Sequence, residues 1–347
     1  MNVMIIHQRA YARIGLMGNP SDGYFGKTIS SAVTNFHAKV TLWESPTLRI
    51  VPHPIFDPVE FDSLKELYTL ALRDGYYGGL RLLFAACKKF MEFCRRYGIE
   101  LPERNFTMAY DTNIPRQVGL GGSSAIITAA IKAMMRFYGL SYAAIPKHIL
   151  PNMILSVETE ELGIAAGLQD RVVQVYGGTV YMDFSRELME SRGYGRYERM
   201  DSNLIPPLLL VYSREPSESG SIHSDVKFKF ERGDPEVVEA MKTFATYADE
   251  AREVILKGDY DRLGELMKAN FDLRRRIYGD EVIGRRNLEM IEMAREMGFP
   301  SKFPGSGGSV IVMYRTDEEA ERLMKVYGER GYECVKLEID RQTMATL

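Results

Sequence analysis

The sequence predicts a two-domain α+β fold, and three observations carry that prediction. The chain has 347 residues, more than one hydrophobic core ordinarily fills. Its first part mixes β-branched and aromatic runs with amphipathic helical patterns. After Ile205-Pro206-Pro207 the order becomes one strand, three helices, a strand, a helix and a strand. That order predicts an antiparallel sheet covered by helices. We therefore expect one domain over residues 1–205 and a second over 206–347.

Each element has its own signal. Val3–His7, Ser30–Thr34, Lys39–Trp43 and Leu48–Val51 predict short strands, punctuated by Gly, Pro, Asn and Asp. Phe61–Arg73 and Gly79–Tyr97 predict amphipathic helices, the second ended by Gly98. Asn105–Tyr110 predicts a strand, and Ala125–Tyr138 a strongly apolar helix stopped by Gly139. A helix over His148–Leu162 carries Pro151 in its first turn, and Leu168–Tyr176 is helical up to Gly177-Gly178. Thr179–Phe184 and Leu208–Tyr212 are strands, and Pro216–Ser224 is a Ser/Gly-rich loop. The first of the three following helices has Asp234 as N-cap and Pro235 at its first position. Ser309–Tyr314 is a strand, Glu318–Arg330 a helix and Cys334–Ile339 the final strand.

Composition excludes several classes of function. The chain is 45% apolar and 26% charged with a formal net charge of −3, so nothing points to nucleic acid or an anionic membrane. Its longest apolar run, Pro206–Tyr212, is far too short to span a bilayer, and the N-terminus shows no signal peptide. Three sparse cysteines without a CxxC suit a reducing compartment, so a cytoplasmic location is expected. The five histidines are scattered without an HExxH, which argues against zinc.

The strongest chemical signal is Pro115-Arg116-Gln117-Val118-Gly119-Leu120-Gly121-Gly122-Ser123-Ser124-Ala125, between a strand and a helix. Small residues let a ligand approach the backbone, and the first N–H groups of the helix favour an anion. The Ser123 and Ser124 hydroxyls could reach phosphate or a metal. A dinucleotide fingerprint fails: its third glycine position is Ser124, and no acid occurs between Ser124 and Glu158. A P-loop fails too, because Gly26-Lys27-Thr28 has Ser21 where the first glycine belongs. An ordinary strand-to-helix turn would use the same residues.

Two further segments matter. Glu158 lies near one helix end, and Asp170 follows twelve residues later beyond Gly163 and Gly167. A chain that turns back there could place two carboxylates beside the serine loop, as Mg²⁺ binding and hydroxyl positioning require. A solvated helix face for Glu158 and a first-turn acid for Asp170 are the plain alternatives. Gly305-Ser306-Gly307-Gly308-Ser309 precedes a strand and could form a second anion nest or a simple turn.

Taken together these segments resemble the GHMP kinase superfamily, which includes galactokinase, homoserine kinase, mevalonate kinase and phosphomevalonate kinase. Pro115–Ser124 resembles the family's P-x-x-x-G-L-G-S-S-A motif, with Gly122 for its first serine and Ser124 for its alanine. Gly305–Ser309 resembles the third motif, and Arg13–Asp22 the first, with Gly18-Asn19-Pro20 departing from the usual Gly-Glu-His. The strings "YDTNIPRQVGLGGSSAI", "GLQDRVVQVYGG" and "YMDFS", and the loop around Ser213–Ser221, resemble the plant-type glucuronokinase subgroup.

The resemblance implies a ribosomal-S5-like N-terminal domain beside a ferredoxin-like C-terminal domain, with the site in the cleft between them. It implies ATP and Mg²⁺ as cofactors and a sugar whose anomeric hydroxyl accepts the γ-phosphoryl group. By register it makes Pro115, Gly119, Leu120, Gly121, Gly122, Ser123, Ser124 and Ala125 ATP-binding, with Gly305, Ser306 and Gly307. Ser123 and Glu158 take the metal positions, and Asp170 is catalytic with Arg13 near the phosphates. Asp22 resembles an acid that binds sugar hydroxyls. Asp170, beside Arg171 and a helix N-terminus, is expected to be ionised at neutral pH. A uronic acid's carboxylate would suit a bidentate arginine, and Arg13, Arg116 and Arg171 are the candidates, among which the sequence does not choose. The expected assembly is a monomer or homodimer.

Overall fold

Two long strands form the spine of the N-terminal half. In the computed structural model, which describes residues 4–74, 78–213 and 223–341, β1 spans Ile5–Met17 and β2 spans Lys27–Glu44, paired antiparallel. The sequence predicts shorter strands here. β2 is central, pairing with β1, with β4 (Phe106–Thr112) and with β5 (Thr179–Asp183), so much of it is buried on both faces and lacks clean alternation. Register shifts at Tyr11/Ala12 and Gly15/Met17 further blur the period in β1. The two-residue β3 (Arg49–Ile50) and β6 (Arg196–Met200) complete a six-stranded sheet. The sequence does not mark β6, whose Arg196, Glu198 and Arg199 are the charges that blunt an edge strand.

Helices cover this sheet. α1 (Leu64–Asp74) precedes α2 (Gly79–Arg96), which packs on α3 (Gly122–Phe137). α3 lies directly on β1 and β2, with nearly every residue buried. The expected His148–Leu162 helix is two pieces: α4 (Leu150–Ser156) and one turn of π-helix over Val157–Glu161. α5 (Gln169–Tyr176) follows, then α6 (Arg186–Arg192), which the sequence reading missed.

The C-terminal half starts with β7 (Leu208–Tyr212). Residues 214–222, which hold most of the expected Ser/Gly-rich loop and of the Ser213–Ser221 resemblance, lie outside the described residues, and His223 already begins α7 (His223–Glu231). α8 (Pro235–Lys257) has Asp234 accepting from the N–H groups of Glu236 and Val237, the cap that Asp-Pro predicts. α9 (Tyr260–Tyr278), α10 (Asp280–Ile283) and α11 (Arg285–Glu296) lead to β8 (Ser301–Lys302) and β9 (Ser309–Met313). α12 (Asp317–Glu329), opened by a Thr316/Glu319 capping box, returns to β10 (Glu333–Lys336). The antiparallel sheet runs β10-β7-β9-β8, the strand order of a ferredoxin-like unit.

The halves share one core. Ile14, Val33 and Ile127 belong to the same buried cluster as Leu210, Ile255, Leu266 and Ile311. The tail also crosses back, with Thr34 N–H donating to Glu338 O and Asp340 N–H to Ala32 O. Among the described residues no helix is long and apolar enough to cross a membrane.

Candidate active site

The serine loop carries the chain from β4 into α3. Gly121 adopts φ 72 as the N-cap, a left-handed conformation that glycine enters without penalty, and no side chain caps the terminus. The first N–H groups of α3, from Gly122 to Ser124, therefore have no acceptor within the helix. Ser124 differs from expectation. It is buried, and its Oγ donates to Gly121 O at 3.0 Å instead of facing a ligand. Ala125 is buried too, and its N–H is spent on Gly121 O at 3.1 Å, so both serve the loop's shape.

The second glycine loop docks on the first. Gly15 N–H donates to Pro304 O at 2.7 Å, and Ser309 Oγ donates to Val118 O at 2.6 Å. Buried cations hold the loop carbonyls. Arg13 Nη1 donates to Gly119 O at 2.6 Å and to Pro304 O at 3.0 Å. Arg274 donates to Gly305 O at 2.7 Å and to Ser306 O at 3.1 Å. In a trans peptide the C=O and the next N–H point in opposite directions. Held this way, the loops turn the N–H groups of Leu120, Ser306 and Gly307 away from the cations. Lys302 Nζ, fully buried, donates to Gly15 O, Asn19 Oδ1 and Phe303 O at 2.6–2.8 Å. Burial, then Arg274 and Arg13, push its pKa well below the usual lysine value.

The acids gather beneath the loop. Ser123 Oγ donates to Glu158 Oε1 at 2.6 Å, and Glu158 sits in the π-helical turn with 1% of its surface exposed. π-turns recur at functional sites because they rotate one side chain out of helical register. Arg171 bonds the other oxygen of Glu158, lies 3.3 Å from Asp170 Oδ2 and donates to Gly167 O at 2.8 Å. Arg13 Nε donates to Asp170 Oδ1 at 2.5 Å. Burial alone would raise the pKa of Asp170, but Arg13 and Arg171 outweigh it and hold the carboxyl below its usual range.

Asp22 is the opposite case. It accepts from Gln169 Nε2 at 3.1 Å and Gln169 N–H at 3.4 Å. Burial and the charge of Asp170 push its pKa up to about 6. A raised pKa means the folded state holds the proton more tightly than the unfolded state. That stabilisation is complete below the ordinary aspartate pKa of about 4 and is lost as pH rises through about 6. Asp22→Asn removes the loss. The variant should exceed wild type in urea-unfolding stability by ~1–3 kcal/mol at about pH 8, with a smaller margin at about pH 5. An equal margin at both pH values would contradict this.

The structure brings Arg13, Asp22, Ser123, Glu158, Asp170 and Arg171 into one cluster with both glycine loops. Arg116 is an exposed side chain whose guanidinium lies 5.8 Å above the Phe56 ring. Arg171 is paired with the carboxylates of Glu158 and Asp170. Sequence reading missed Arg274, Lys302 and Asn270, whose amide bridges Gly18 N–H at 2.9 Å and Asn19 O at 3.1 Å. Asn270 and Arg274 stand four apart on the buried stripe of α9 with Leu263, Leu266, Met267 and Phe271, and polar residues on an apolar stripe are the signal that could have found them.

The donor set fits Mg²⁺ shared with phosphate. Ser123 and Glu158 offer adjacent hard oxygens, while no three of His, Cys, Asp or Glu converge on a metal site among the described residues. Mg²⁺ ordinarily takes one or two carboxylates and completes its shell with phosphate oxygens and water. Arg171 Nε, buried without an acceptor among the described residues, leaves one further donor beside these carboxylates.

Known proteins share both halves. Residues 81–178 match the GHMP kinases N terminal domain and residues 251–333 the GHMP kinases C terminal model. The chain is 52% identical over 309 residues to Probable glucuronokinase 2 of Arabidopsis thaliana, covering 89% of this chain and 84% of that protein. It is 51% identical over 307 residues to Glucuronokinase 1 of the same plant, covering 88% and 84%. The crystal structure of Lactococcus lactis galactokinase complexed with galactose superposes with a TM-score of 0.75 at 16% identity, covering 97% of this chain and 94% of that one. With both domain models matched in order and half-identical relatives spanning most of its length, the chain belongs to the GHMP kinase family.

Proposed function

We propose that the chain is an ATP-dependent sugar 1-kinase that phosphorylates the anomeric hydroxyl of glucuronate, giving the sugar 1-phosphate and ADP. One observation carries the chemistry: Asp170, gripped by Arg13 and Arg171, lies at the loop whose helix N-terminus is uncapped. The glucuronokinase names of the two half-identical relatives supply the substrate. Mevalonate kinases are also relatives, at 22–28% identity. The polar and charged groups around Asp22 favour a polyhydroxylated substrate over an isoprenoid acid. We take residues 1–205 and 206–347 as the two domains and a reducing, cytoplasmic setting for the three free cysteines.

The uncapped N–H groups of Gly122 and Ser123, with those of the Gly305–Gly307 turn, receive the triphosphate. Ser123 and Glu158 would hold Mg²⁺, which would neutralise charge on the phosphates. Asp22 accepts hydrogen bonds from sugar hydroxyls. Asp170 accepts the hydrogen bond of the attacking hydroxyl and aims it at the γ-phosphorus. As a weak base held ionised by two guanidiniums, it orients more than it abstracts, and it takes up the hydroxyl proton late, as the O–P bond to the sugar forms and the bond to ADP breaks. Arg13 fixes Asp170 and both loops at once.

ADP release with Mg-ATP is measured across glucuronate, galacturonate, galactose, arabinose and mevalonate. Fastest turnover of glucuronate supports this reading, and none with any of the five overturns it. Glu158→Gln should raise the Mg²⁺ concentration for half-maximal rate by about tenfold or more, because it removes the carboxylate that accepts from Ser123 Oγ. An unchanged Mg²⁺ dependence would remove Glu158 from the metal site.

A further inference from the structure

A glucuronate carboxylate is charged at neutral pH, and inside a cleft it needs a counter-charge. The arginines nearest the sequence motifs are not free to supply one. Arg13 is paired with Asp170, Arg171 with Glu158 and Asp170, and Arg116 lies over Phe56. Arg274 is different. It is 2% exposed, yet among the described residues it bonds the carbonyls of Gly305 and Ser306 and no carboxylate lies within ion-pair distance. The Tyr278 and Phe303 rings lie 5.3 Å from its guanidinium carbon. Arg13 and Arg274 bond the successive carbonyls of Pro304 and Gly305, so Arg274 stands beside the Arg13–Asp170 pair. Two of its five N–H donors are spent on carbonyls, which leaves donors for a planar anion.

We infer that Arg274 is the specificity-determining residue that pairs with the substrate's carboxylate, making the enzyme selective for a uronic acid over its neutral counterpart. The inference rests on the sugar-kinase reading above. A buried guanidinium lacking a counter-ion is costly in the empty protein, and a uronate offsets that cost where a neutral sugar does not.

The test compares glucuronate with glucuronamide, which keeps the ring and replaces the charged carboxylate by a neutral amide. kcat and KM for both sugars and for ATP are measured in wild type, Arg274→Gln and Arg274→Lys. Arg274→Gln should lower kcat/KM for glucuronate about 10²-fold more than for glucuronamide, whereas loosening of the Gly305–Ser306 turn would weaken both sugars and ATP alike. Arg274→Lys should recover part of the loss, as a point charge without the fork. Equal losses on both sugars would make Arg274 a support for the glycine loop, and a raised KM for ATP alone would make it a phosphate ligand. Either result overturns the inference. If Arg274→Gln does not fold, Arg274→Lys supplies the same comparison. Wild type that turns over neutral sugars but not glucuronate would instead defeat the substrate reading beneath it.

Discussion

Asp170→Asn is expected to lower kcat by about 10²–10⁴-fold while leaving ATP affinity equal or tighter. The side chain keeps its shape, and its Oδ1 can still accept from Arg13 Nε, which bonds Asp170 at 2.5 Å. What disappears is the negative charge that draws the sugar hydroxyl's proton as the O–P bond forms. Arg13 and Arg171 also lose a counter-charge in a buried site, so local positive potential rises. That favours the triphosphate and costs some folding stability. Steady-state rates with Mg-ATP and glucuronate, together with calorimetric binding of ADP, separate the two effects. Turnover within about threefold of wild type would remove Asp170 from the mechanism. A parallel loss of ADP binding would make its role structural.

The parts of this site that were legible in the sequence are local. Gly119–Ser124 is readable because one short string holds the turn, the helix start and the hydroxyl. Glu158 and Asp170 are readable only once a family pattern joins them, since their meeting depends on the chain reversing after the π-turn. The carbonyl-holding cations are not readable in this way. Arg274 and Lys302 bond main-chain oxygens of distant loops, and no residue type marks such a partner. Arg116 illustrates the same limit in reverse. Proximity in sequence to the loop says nothing of which side of the strand end a long side chain takes, and here it lies over Phe56. In the fold, the start of α8 was legible from its cap and α12 to within a residue at each end. The β1–β2 hairpin was legible only in part: Phe36–Leu42 alternates, but Thr28–Val33 is buried throughout and register shifts break the period of β1.

Gly305→Ala should abolish most activity and lower Tm by roughly 2–10 °C, although it adds a single methyl group. The reason is distance alone, not backbone conformation. A Cβ at Gly305 would sit inside the contact radius of Gly119 O, with Gly119 C at 2.8 Å and Arg13 Nη1 at 2.9 Å. Both obstacles belong to the opposite loop and its anchor, and a backbone carbonyl cannot rotate aside as a flexible side chain would. The loops must part, which lengthens the Arg13 bonds to Gly119 O and Pro304 O and shifts the N–H groups that face the phosphates. KM for ATP should therefore rise by about 10²-fold, since a displacement near 1 Å at such a site costs that much. Gly328→Ala is the control: it lies within α12 with nothing within 4 Å of its added Cβ, so alanine there should be neutral or stabilising by up to ~1 kcal/mol. If Gly305→Ala matches Gly328→Ala in Tm and in KM for ATP, the two glycine loops do not form a single phosphate-binding surface, and the docking of Gly305 against Gly119 has no functional weight.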